Sequence, residues 1–203
     1  MAVTSSLGFP DISNMCRTKR CRSCGLFIHQ KPIYDNRLPA SVFWVGLSAV
    51  RFGVGEKKLP LSPLTPSGAL IESIELPYRD HTQFYKTNIV KCVPMQGDRI
   101  RYPLAHEMEK CFPNFEWELE HLKPQTIFLL GKQVADFVCK KLTGRPAASI
   151  HGFDFQPVRW NGLELVPVHH PSYILVYKRK LVESYIKNIQ ELLSGQSLCT
   201  VAC

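Results

Sequence analysis

The run from Ser41 to Ser48, SVFWVGLS, constrains this chain more than any other stretch, because it is almost continuously apolar and rich in β-branched and aromatic residues. It lacks the alternation of a half-exposed strand and reads instead as a strand buried on both faces, the usual condition at the centre of a parallel sheet. Three later runs have the same character: Phe84 to Cys92, Thr126 to Leu130 and Leu163 to Val168. Between and after them lie stretches with apolar residues three and four apart. These are a helix opening at Ser67, Leu104 to Leu122 with an interruption at Pro113, Gln133 to Leu142, and Arg179 to Leu193.

Strands alternating with helices predict an α/β fold, a three-layer α/β/α sandwich around a central, mostly parallel sheet. Ligands of such sheets sit beyond the carboxyl ends of the strands. That rule points to the segments after Val45, Val90 and Val168, which are the three places where unusual residues collect. Gly53, Gly55, Pro60, Pro63 and Pro66 break regular structure after the first strand and mark a loop at that edge.

A chain of 203 residues, 45% of them hydrophobic, can bury one substantial core and is too short for two. A single domain over 1–203 is expected, with flexible ends at 1–15 and 195–203. The apolar stretch around Ala40 to Val50 is too short to span a bilayer, and the first residues lack a basic segment followed by an apolar one. A cytosolic protein without membrane contact, acting as a monomer, is the expectation. Lys and Arg number 25 against 17 Asp and Glu, a formal charge of +8 that suits DNA or another polyanion. A generic basic surface would give the same count.

Eight cysteines in a cytosolic chain favour a metal site over disulfides. Cys21 and Cys24 form a CxxC, which lets two thiolates reach one centre from a tight turn, and Cys92 and Cys111 follow at the end of a strand and within a helix. The four can converge on one cluster, on zinc, or not at all, since Cys92 and Cys111 also suit ordinary buried thiols. Cys16 offers a second spacing, Cys16-x4-Cys21-x2-Cys24.

Four segments, taken together and in this order, resemble those of the uracil-DNA glycosylase superfamily, in the branches that carry a 4Fe-4S cluster. They are Val45 to Val50, Ser67 to Leu70, Lys86 to Pro94, and Val168 to Ser172. The resemblance implies a DNA glycosylase that flips a damaged or modified base out of DNA and cleaves its bond to the sugar. Uracil is the default base, and a deaminated purine or a bulky modified pyrimidine, such as phage DNA carries, is the alternative. It implies a cluster held by Cys21, Cys24, Cys92 and Cys111, with zinc as the chemical competitor.

The same resemblance assigns base reading to Asn88, whose amide offers one acceptor and two donors. It assigns stabilisation of the departing base to His170 rather than His169. Gly46, Leu47, Ser48, Ser67, Gly68, Pro171 and Ser172 are the implied base or DNA contacts. Two positions depart from the family pattern. Leu47 stands where a carboxylate or polar residue commonly positions the attacking water, and no aromatic lies near Pro63 or Leu64 to stack on the base, leaving Phe52 as a substitute. A DNA-binding protein that keeps the fold without cleavage is the competing function. Lys57, Lys58, Arg99, Arg101, Lys178, Arg179 and Lys180 are candidates for phosphate contacts, and Tyr173 and Tyr177 for a wedge into the duplex.

Overall fold

The structure, a computed structural model, describes residues 21–35, 39–53 and 59–197. Strands β1 (Val42–Ser48), β2 (Phe84–Val90), β5 (Thr126–Leu130), β6 (Val158–Trp160) and β7 (Leu163–Val168) form a five-stranded sheet in the order β2-β1-β5-β7-β6. Every pairing is parallel except that of β6 with β7. A separate small hairpin pairs β3 (Met95–Gln96) with β4 (Arg99–Ile100). The expected α/β sandwich is therefore present, and the four long strands fall where the apolar runs placed them. Neither β6 nor the hairpin was legible, since each is too short to carry a period.

Helices α1 (Pro66–Glu75), α2 (Ala105–Leu122), α3 (Lys132–Thr143), α4 (Pro171–Tyr177) and α5 (Val182–Ser197) cover the two faces. Successive residues of β1 supply opposite layers, as strand geometry requires. Phe43 and Val45 pack with Phe115 of α2 and Val138 of α3. Val42 and Trp44 pack with Ile71 and Ile74 of α1, Ile174 of α4 and Ile189 of α5.

Pro113 does not interrupt α2, which runs through it. A proline inside a helix removes one hydrogen bond and costs roughly 3 kcal/mol. Met108, Cys111, Phe112 and Phe115 bury one continuous face on both sides of it, which offsets that loss. The stretch read as a flexible end at 195–203 begins within α5, which continues through Ser197; residues 198–203 and 1–20, with Cys16, Cys199 and Cys203, lie outside the described residues.

β2 is an edge strand, and the chain before β1 covers it. Ile33 donates its backbone N–H to Lys91 O at 2.9 Å, and Lys86 donates its own to Asp35 Oδ2 at 3.0 Å. That cover removes the open edge that would otherwise pair with another chain. Beneath β2 lies a buried polar cluster: Lys91 Nζ donates to Glu118 Oε2 at 2.7 Å and to Thr87 Oγ1 at 2.5 Å, while Tyr85 and Thr87 donate their hydroxyls to the same carboxylate. It joins α2 to β2 at the strand that also carries Asn88.

Candidate active site at the sheet's carboxyl edge

The chain leaves β1 toward β2 on one side and returns to β5 on the other, so the strand order reverses between β1 and β5. A crevice forms at such a switch point beyond the carboxyl ends. It is occupied here by a cleft of about 830 Å³, lined by Leu47 and Ser48 from β1, Asn88 from β2, Leu130 at the end of β5 with Gly131 after it, and His170 and Ser172 after β7. Four segments far apart in sequence thus meet at one place.

Asn88 is only 3% exposed, yet its side chain makes no hydrogen bond to another described residue and lines the cleft. Its amide opens on the cleft, where water or a ligand can satisfy it. Gly46 is its register partner on β1, and a Cβ at Gly46 would overlap Asn88 Oδ1. The glycine is there because the amide passes over it.

The loop ahead of α1 closes the same wall. Thr65 caps the helix, its Oγ1 accepting the Gly68 N–H at 3.1 Å and donating to Ser62 O at 2.8 Å. A Cβ at Gly68 would overlap the Ser62 carbonyl, so α1 and the loop pack backbone to backbone. Leu61 sits in the left-handed region at φ 48°, unusual for a branched side chain, and lines the cleft beside Ser67.

His170 caps α4. Its Nδ1 accepts the Ser172 N–H at 3.1 Å and lies 2.8 Å from the Ser172 hydroxyl. A nitrogen accepting from a backbone N–H carries no proton, so the neutral ring holds its proton on Nε2. Burial lowers the His170 pKa and favours that neutral form. His169 has different work: its Nε2 donates to Gly152 O at 2.9 Å, and Tyr185 donates to the His169 carbonyl at 2.7 Å. Those bonds anchor the backbone that presents His170.

Gly131 was missed by sequence reading, although a glycine between a strand and a helix was a signal for it. It adopts φ 87° and ψ 159°, a region open essentially only to glycine, and a Cβ there would lie 3.3 Å from His170 Cβ. Of the remaining expected site residues, Leu47, Ser48, Ser67 and Ser172 line the cleft, Pro171 is the buried first residue of α4, and Gly46 and Gly68 are buried behind the wall. Phe52 also lines it, packed beside Ile33, Ala49 and Val93.

The phosphate candidates divide. Lys57 and Lys58 lie outside the described residues. Arg101 is committed to Glu107 through two bonds of 2.8 and 2.6 Å, so its fork is not free for DNA. Arg99, Lys178, Arg179 and Lys180 are exposed.

On the far face of β2, Cys92 and Cys111 are buried, with Cys24 packed against the same core. Burial first, and then the nearby Cys111, Cys24 and Cys21, push the Cys92 thiol up to about 12. Cys111 is raised by burial too, against the lowering effect of Lys91, whose N–H donates to its Sγ at 3.4 Å. No three ligating side chains among the described residues are gathered closely enough to hold a single metal ion. Cys139 lies apart on α3.

A mostly parallel α/β sheet with a cleft at its switch point, largely apolar with a few polar groups, defines a class of small enzymes and ligand-binding domains. Within that class, residues 34–194 match the family profile described as the Uracil DNA glycosylase superfamily, and the chain belongs to that superfamily. It is 28% identical over 111 residues to a type-4 uracil-DNA glycosylase of Archaeoglobus fulgidus, covering 53% of this chain and 54% of that protein. It is likewise 28% identical over 119 residues to a protein of the same name from Sulfurisphaera tokodaii, covering 56% and 52%. The chain thus spans about half the length of the curated relatives it matches. The crystal structure of wild-type Pedobacter heparinus SMUG2 aligns with a TM-score of 0.50 at 15% identity, over 80% of this chain and 77% of the other, a likeness of fold. No described helix is long and apolar enough to cross a membrane.

Proposed function

We propose that the protein is a DNA glycosylase that takes an extruded damaged or modified base into the cleft and hydrolyses its N-glycosidic bond. The observation that carries this reading is the pairing, in one cleft, of the unpartnered Asn88 amide with a neutral His170 whose Nε2 keeps its proton. The two groups supply the two halves of the chemistry. Asn88 reads the polar edge of the base through one acceptor and two donors. As the bond from C1′ to the base nitrogen breaks, its electron pair leaves with the base, and His170 Nε2–H donates to the base oxygen where negative charge gathers. A water oxygen bonds to C1′, and its proton passes to the departing base or to solvent.

Leu47 offers no group to activate that water, so this chain's contribution lies in stabilising the leaving base. Uracil is the default substrate, and a deaminated purine or bulky modified pyrimidine is the alternative. The partner is DNA, approached along the basic flank of Lys178 to Lys180.

Cys21, Cys24, Cys92 and Cys111 would hold a 4Fe-4S cluster. Their residue types, the electrostatic influence of Cys21, Cys24 and Cys111 on Cys92, and the Lys91 N–H on Cys111 support this reading. Bound there, the group would tie the residues before β1 to β2 and α2, away from the cleft. Leu47 favours a second reading, a DNA-binding protein without cleavage. Base release from DNA containing uracil, hypoxanthine, xanthine or bulky modified pyrimidines tests the two. Release that is abolished by Asn88→Ala and His170→Ala, with DNA still bound, supports the glycosylase; binding without release of any base supports the other.

A further inference from the structure

The hairpin after Cys92 builds a wall of the cleft that no assigned residue occupies. Ile100 and Tyr102 line the cleft there and are 50% and 76% exposed. The backbone beneath Tyr102 is held firmly. Arg101 donates its N–H to Pro94 O at 3.0 Å and its Nη1 to the Tyr102 carbonyl at 2.9 Å. The same guanidinium grips Glu107 of α2, whose Oε2 also accepts the Leu104 N–H at 2.7 Å. The Tyr102 ring is therefore presented to solvent from a backbone whose ordering is already complete, which lowers the entropic cost of using it.

Another wall of the same cleft carries Tyr173, Val176 and Tyr177 of α4, with the rings of Tyr173 and Tyr177 centred 5.5 Å apart and Tyr177 73% exposed. Exposed cations stand near each wall, Arg99 at the hairpin and Lys178, Arg179 and Lys180 after α4. Exposed rings with cations on the adjoining residues suit unpaired nucleic acid, because every base offers a π-face and every nucleotide a phosphate.

We infer that Tyr102 is a stacking platform for an unpaired base next to the target in the same DNA strand. The inference rests on the glycosylase reading for the identity of the polymer. The base stacks on the Tyr102 ring while the chain of phosphates runs past Arg99, and the Arg101–Glu107 pair keeps the ring in position. Stacking is open only to a base released from its own duplex neighbours, so the contact favours single-stranded or locally opened DNA.

The test is a binding measurement that does not depend on cleavage. Oligonucleotides carrying a cleavage-resistant 2′-fluoro-2′-deoxyuridine, with 2-aminopurine as its neighbour, are offered as single strand and as duplex to the wild-type protein and to Tyr102→Ala and Tyr102→Phe. Expected are quenching of 2-aminopurine on the single strand, about ten-fold weaker single-strand binding by Tyr102→Ala with the duplex affinity unchanged, and retention of both signals by Tyr102→Phe. Equal losses on both DNAs, no loss at all, or a Tyr102→Phe as weak as Tyr102→Ala would overturn the inference. A protein that binds as expected yet releases no base in the separate cleavage assay would sink the glycosylase reading and leave the platform standing.

Discussion

Gly46 on β1 and Asn88 on β2 are register partners, and the Asn88 amide occupies the space in which any other residue at position 46 would place its Cβ. A buried polar residue of the cleft is thus set by an absent side chain on the neighbouring strand. Gly46→Ala should leave the sheet formed, since alanine tolerates a strand, but it must turn Asn88 away from the cleft. A displacement of this size lowers kcat/KM by about 100-fold. Steady-state base release alongside circular dichroism checks it; unchanged release in a folded variant rules out the role of the amide.

His170 accepts the Ser172 N–H only while Nδ1 is unprotonated. Burial depresses its pKa, so the neutral ring, and the stability it contributes, are fully present above the ordinary histidine range and are lost as pH falls through the depressed value. The acid limb of kcat/KM should lie below about 6.5. His170→Ala should lose the limb together with most of the rate, and a limb that survives the substitution belongs to another group.

Gly131 supports His170 from behind while adopting a backbone conformation closed to other residues. Gly131→Ala should cost about 1–3 kcal/mol in chemical denaturation. It should also lower kcat by pushing the His170 Cβ. Loss of stability with an intact kcat would separate the glycine from the site.

Lys91 and Glu118 form an ion pair with both side chains 1% exposed. Lys91→Met leaves a carboxylate buried beneath β2 with only hydroxyl partners, which should destabilise the fold by about 3–5 kcal/mol. The double variant Lys91→Met with Glu118→Leu should recover much of that loss, because no charge is then stranded. A double-mutant cycle of denaturation midpoints reads the difference, and strictly additive losses would refute the coupling.

The proposed cluster assigns Cys21, Cys24, Cys92 and Cys111 as ligands and leaves out Cys139, a buried thiol of α3. Protein purified without oxygen should be brown and contain about four irons per chain. Cys111→Ser should lose both colour and iron, while Cys139→Ser keeps them. Zinc in place of iron, or iron retained by Cys111→Ser, would exclude the cluster at these thiols.

Much of the fold was legible because its signals are local. The runs around Trp44, Ile89, Phe128 and Val166 are long enough to show burial on both faces, and the helices show their period. Short elements such as β6 and the β3–β4 hairpin carry no period, and they were invisible. Pro113 misled because its local cost is plain, whereas the packing of Phe112 and Phe115 that outweighs it depends on the sheet they meet.

For the site, the sequence by itself determined which chemistries were available: an amide at Asn88, an imidazole at His170, and four thiols at suitable spacings. Tertiary structure alone decided their use. Gly46 matters only through the register that brings Asn88 opposite it, the tautomer of His170 follows from the Ser172 N–H it accepts, and Arg101 left the phosphate candidates by pairing with Glu107. Tyr102 joined the cleft for the same reason. Residue type and period are properties of neighbours in the chain, but strand order and register join residues far apart, and these settle which groups meet and which are left free to meet a ligand.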